Sequence, residues 1–125
     1  MATQSQHQVK ARNNRDFLSE IDATLRADWA VVVAFYTAVH LVERLRAQSG
    51  EHSNNHQQRL EYLQTFHRAI HPNFQKLYVA SRLARYDANA LFYHQFANAD
   101  IRSVVIDGWL AAIEVYVAGL TTPAP

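Results

Sequence analysis

Apolar residues recur along most of the chain at intervals of three and four, as in Phe17, Ile21 and Leu25 or in Leu60, Leu63 and Phe66. That spacing places side chains on one face of an α-helix. Helix breakers are few. Of three Gly and three Pro, five lie at Gly50, Pro72, Gly119, Pro123 and Pro125, where helices can stop or the chain can turn. The pattern predicts an all-α chain with a helix over 15–25 capped by Asn14, a second over 28–48 ending at Gly50, a third over 55–66 stopping before Pro72, and a fourth over 73–87. A last helix begins near Asp100, whose carboxylate can cap free amides, and runs through Ile101, Val105, Trp109, Ile113 and Tyr116 to Gly119. Residues 87–98 carry Leu91, Phe92, Tyr93 and Phe96, which need a core to pack into, so this stretch reads as a folded crossing.

Gly108 stands inside the last helix at a cost of about 1 kcal/mol in propensity, for which close approach by another helix is the expected reason. The valines at 31–33 also suit a strand, but the Ala-rich flanks and the length of the run favour helix. The longest apolar stretch, 29–42, is interrupted by Thr37 and His40 and is shorter than the roughly 20 residues of a membrane span. It predicts a central helix contacted on most sides. No membrane association is expected, and the polar first 14 residues lack the apolar core of a signal peptide.

At 125 residues the chain suits one domain, and 49% hydrophobic against 18% charged residues is ordinary for a folded one. The expected organisation is a flexible tail over 1–13, a single helical bundle domain over 14–120 and a short tail over 121–125. With no cysteine, disulfides, thiolate metal sites and cysteine nucleophiles are excluded, and a reducing cytoplasm is the expected compartment. A homodimer is expected because Trp109, Tyr116 and Leu120 leave an apolar face on the last helix.

The net charge is only +1, but its distribution is uneven. Residues 59–85 hold Arg59, Arg68, Lys76, Arg82 and Arg85 against Glu61 alone. Ten of the twelve cations are Arg, whose planar fork suits phosphate or carboxylate better than Lys does. Seven histidines include two pairs four apart, His52 with His56 and His67 with His71. Neither pair has a third ligand nearby or an HExxH context, so no metal and no cofactor is expected. Hydrolase elbows, phosphate-binding glycine loops and dinucleotide fingerprints are missing from the sequence.

What remains is a polar and aromatic set around the helix junctions. Tyr36 and His40 share one face of the second helix. His56 and Arg59 share a face at the start of the third, where an anion could be held by free amides and Arg. Arg82, Arg85 and Tyr86, followed by Asp87, close the fourth. Tyr36, His40, His56, Arg59, Arg82, Arg85 and Tyr86 are expected to converge on one cleft between the second, third and fourth helices, whose repelling arginines need an anionic ligand, or Asp87, between them.

The run Trp29-Ala-Val-Val-Val-Ala-Phe-Tyr-Thr-Ala-Val-His-Leu-Val-Glu, the loop with His56 and Arg59, and the later Tyr78 and Ser-Arg-Leu-Ala-Arg-Tyr-Asp together resemble small prokaryotic HEPN-type proteins. The resemblance implies an up-and-down four-helix bundle with an extra short helix, frequent dimerisation, and a role in toxin–antitoxin or defence systems beside a nucleotidyltransferase-type partner. Catalytic members are metal-independent ribonucleases using Arg, four to six residues, then His. Here the formal match is Arg46-Ala-Gln-Ser-Gly-Glu-His52, in a different loop, and Arg102 has no His after it. The resemblance therefore implies a module that binds RNA, a nucleotide or a protein. A ribonuclease with Arg and His from different helices, or a purely structural dimerisation unit, are its alternatives.

Overall fold

A computed structural model of the chain describes residues 2–23, 26–86 and 101–121, and every regular element among them is helical. They are α1 (Gln4–Glu20), α2 (Ala27–Ala47), α3 (His56–Phe66), α4 (His71–Tyr86) and α5 (Arg102–Leu120). The expected crossing over 87–98, the Asp100 cap and Asp87 lie outside the described residues.

The first helix differs most from expectation. It starts at Gln4 instead of near Arg15, so the stretch read as a flexible tail over 1–13 is mostly helix, and Asn14 lies inside it rather than capping it. The cause is a capping box. Thr3 Oγ1 accepts the Gln6 N–H at 3.1 Å while Gln6 Oε1 accepts the Thr3 N–H at 2.8 Å, satisfying two otherwise free donors. Only His7, Ala11 and Leu18 of this helix are buried, which is why its first half carries almost no apolar period to read.

Helix α2 is the central element, packed by α1, α4 and α5, with Val31, Phe35 and Val42 fully buried. It ends in a Schellman arrangement: the Glu51 N–H reaches the Arg46 carbonyl, the Gly50 N–H reaches that of Ala47, and Gly50 takes φ +71°. A Cβ at Gly50 would meet nothing among the described residues within 4 Å, so Gly50→Ala carries the left-handed backbone penalty. The expected result is a loss of about 1 kcal/mol in chemical denaturation, with binding properties unchanged.

Asn55 caps α3 by accepting the Gln58 N–H at 2.8 Å. Pro72 falls in the first turn of α4, where its missing N–H leaves no bond unmade. The first half of α5, Arg102–Leu110, winds with the wider π spacing before Ala111–Leu120 continues as α-helix. The Ala111 N–H, for example, donates to the Ile106 carbonyl five residues back. Gly108 follows from this. Among the described residues the atom nearest to a Cβ there is the Ser103 carbonyl oxygen at 3.2 Å, so the crowding they produce comes from the preceding turn of the same helix.

Phe35 and Phe74, with ring centroids 5.5 Å apart, lead a core completed by Leu18, Leu63, Leu77, Ile106, Leu110 and Ile113. By length and composition α5 is apolar enough to cross a membrane. Its Val105, Ile106, Leu110, Ile113 and Val117 are nevertheless buried, and it packs on α2 and α4 as a bundle helix. Of the residues expected to leave an apolar face, only Leu120 is exposed. Trp109 is half-buried near the Lys76 ammonium, and half-buried Tyr116 hydrogen-bonds His67 at 2.8 Å.

Candidate functional site

Helical spacing on α2 sets Tyr36, His40 and Glu43 along one stripe. Opposite it, the turn at Gly50 returns the chain so that His52 and Ser53 lie over Glu43, and the start of α3 supplies His56 and Arg59. Helix α1 adds His7.

Glu43, only 1% exposed, is the hub. Its Oε1 accepts the Arg59 Nε–H at 2.8 Å, its Oε2 accepts the Ser53 N–H at 3.1 Å, and His52 Nδ1 stands 3.4 Å from Oε2. Burial alone would raise this carboxyl, but the hydrogen bonds from Ser53 and Arg59 outweigh it and hold the group below its usual range. The network continues outward. Arg46 donates to Ser53 Oγ at 2.8 Å and lies over the Tyr62 ring, and Tyr62 and Tyr116 bond opposite nitrogens of His67.

His7 and His40 meet with their Nδ1 atoms 3.0 Å apart, so one ring donates and the other accepts. Burial, reinforced by His7, pushes His40 down to about 4, which keeps it neutral at pH 7. Burial lowers His7 too, against the pull of Glu43. The Nδ1 of His7 is engaged by His40, while its Nε2 is buried without a hydrogen-bond partner among the described residues. The ring itself stacks on His52 at 5.8 Å.

His56 is wedged between Phe35 and Tyr78, and its Nδ1 lies 2.6 Å from Arg59 Nη1. Burial, then Arg59 and Arg85, depress its pKa. A guanidinium only donates, so Nδ1 accepts and the neutral ring carries its proton on Nε2.

The residues expected to share one cleft separate into two groups around His56. His40, His56 and Arg59 belong to the inner network, where Arg59 is 7% exposed and bound to Glu43, so it does not present itself to an external anion. Tyr36, Arg82, Arg85 and Tyr86 form an outer group. Arg85 donates to the Tyr36 hydroxyl at 2.6 Å and to the Ser81 carbonyl at 3.3 Å, and its guanidinium lies 5.0 Å from the Tyr86 ring centroid. Exposed Arg82 stands over Tyr78, 5.9 Å from the ring centroid. Beside Arg85, a cavity of about 170 Å³ is lined by Asp28, Trp29, Val32 and Ala84, and Trp29 is 61% exposed.

The histidine pairs four apart do not converge: His52 faces Glu43 and His56 faces Arg59, while His67 sits between Tyr62 and Tyr116. His7, Glu43 and Trp29 were not among the expected site residues, and His52 was weighed only as one of a histidine pair four apart. A carboxylate closing the apolar stretch 29–42, three residues after His40, was the available signal for Glu43, whereas nothing local marked His7. Comparison of the chain with protein-family models, with curated proteins and with solved structures finds no match.

Proposed function

We propose that the protein is a HEPN-like helical bundle that binds a nucleotide or single-stranded RNA on its outer basic and aromatic face, formed by Trp29, Arg82, Arg85 and Tyr86. The observation that carries this reading is Arg85. Its guanidinium is oriented by Tyr36 and flanked by Tyr86, and among the described residues no carboxylate forms a salt bridge with it. An Arg held this way keeps N–H groups for a phosphate, and exposed rings beside it give bases a surface to stack on. Of the cations over 59–85, Arg82 and Arg85 belong to this face, whereas Arg59 is spent on Glu43 and Lys76 stands beside Trp109.

The inner network contributes rigidity rather than contact, because Glu43 neutralises Arg59. It also removes His56 as the general base of a ribonuclease: its Nδ1 is occupied by Arg59 and Nε2 holds the proton, so the ring has no free lone pair to accept a 2′-hydroxyl proton. Dimerisation, a nucleotidyltransferase-type partner and a place in a toxin–antitoxin or defence system belong to this proposal through the HEPN resemblance.

Fluorescence anisotropy with a short labelled RNA tests it. Arg85→Ala and Trp29→Ala are expected each to weaken binding by about 1–3 kcal/mol, with affinity falling as salt rises and the melting temperature almost unmoved. Unchanged affinity in both variants, or a large fall in melting temperature for Arg85→Ala, would defeat the reading.

A further inference from the structure

We propose that His7, Glu43 and His52 form a binding site for a divalent zinc-type cation, joining α1 to the loop between α2 and α3. One donor atom from each of the three residues lies within 4.8 Å of the others, a grouping a single ion can span. The separation of His52 Nδ1 from Glu43 Oε2 is the more specific sign. At 3.4 Å it is long for a hydrogen bond but close to the roughly 3.3 Å between two ligands held at about 2.0–2.1 Å on a tetrahedral ion.

His7 supplies the second, independent sign. It is 5% exposed, and its Nε2 is buried without any hydrogen-bond partner among the described residues, an arrangement that costs stability unless something binds that nitrogen. Its Nδ1 faces His40 Nδ1 at 3.0 Å. With His40 Nδ1 accepting, His7 donates from Nδ1 and keeps the Nε2 lone pair for the metal. This is how metal-bound imidazoles are usually oriented, by a partner on the other ring nitrogen. The carboxylate is prepared in the same manner. Arg59 occupies Oε1 and the Ser53 N–H steadies Oε2, which leaves Oε2 a lone pair for single-oxygen ligation.

Two neutral imidazoles and one carboxylate form a donor set of intermediate softness, suited to Zn(II) or Co(II) and short of the oxygens that Mg(II) or Ca(II) prefer. Three protein ligands leave the fourth tetrahedral position for water. The His52 side chain, 35% exposed, gives the ion a path from solvent.

Tag-free full-length protein, stripped with a chelator, is titrated with Zn(II) by calorimetry and with Co(II) by visible absorption. The expected result is one ion per chain at micromolar concentrations, with the intense d–d bands of tetrahedral Co(II). His52→Ala, at the solvent-facing edge of the cluster, is expected to weaken binding roughly tenfold or more while the metal-free protein melts as the wild type does. His7→Gln is expected to do the same if it folds, and His71→Ala, outside the cluster, is expected to bind as wild type. Absence of stoichiometric binding, an octahedral Co(II) spectrum, or wild-type affinity in His52→Ala overturns the proposal.

Discussion

Replacing Glu43 with Ala is expected to lower the free energy of unfolding by about 3–5 kcal/mol, a large share of the roughly 5–15 kcal/mol typical of a domain. The substitution leaves the Arg59 guanidinium, 7% exposed, without its counter-charge, and removes the acceptor of the Ser53 N–H in a residue only 2% exposed. Restoring the charge balance matters more than restoring the carboxylate. The double variant Glu43→Leu with Arg59→Met is therefore expected to be more stable than Glu43→Ala alone, because no unpaired charge stays buried. For contrast, Arg15 and Glu114, each with a side chain 30% exposed, form a 3.2 Å pair that solvent screens, and Arg15→Ala is expected to cost no more than about 1 kcal/mol. Urea denaturation followed by circular dichroism measures all three. A Glu43→Ala loss no larger than that of Arg15→Ala would show that the inner network does not hold the helices together.

The metal-free protein is expected to lose stability steadily as pH falls from 6.5 towards 4. His40 titrates near 4 when folded and near 6.5 when unfolded, so between these values the unfolded chain binds the extra proton and acidification favours unfolding. At pH 5 this residue alone accounts for a loss on the order of 2 kcal/mol relative to pH 7.5. His7, His56 and His67 are also depressed by burial and act in the same direction below pH 6.5. Glu43, held below its normal range, extends the loss to more acid pH because its protonation releases Arg59. Above about pH 7.5 these histidines are neutral in both states and contribute no slope. Thermal melts in chelator across pH 4 to 8 check this, and His40→Phe is expected to flatten the profile between pH 4 and 6.5. A profile as steep in that variant as in the wild type would remove His40 as the cause.

Wherever local chemistry carried the information, the sequence determined the outcome. Apolar period and sparse breakers were enough for an all-helical chain with α2 at its centre, since a stripe wider than one face has to be covered on several sides. The end of α2 at Gly50 and the start of α3 at Asn55 were legible because a left-handed glycine and an N-cap act within a few residues of themselves. The start of α1 was legible in principle through Thr3 and Gln6, but it carried no apolar period to confirm it. The site depended on distance along the chain. Glu43 meets Arg59 sixteen residues later and His40 meets His7 thirty-three residues earlier, and no periodic pattern encodes which of several histidines and arginines will face a given carboxylate. Charge alone marked Arg59 and Arg85 as equivalent. Only the return of the chain after Gly50 set the first turn of α3 beside Glu43 and buried Arg59 on it, whereas Arg85 stayed at the end of α4 on Tyr36; a guanidinium is buried at least cost where a carboxylate is buried with it.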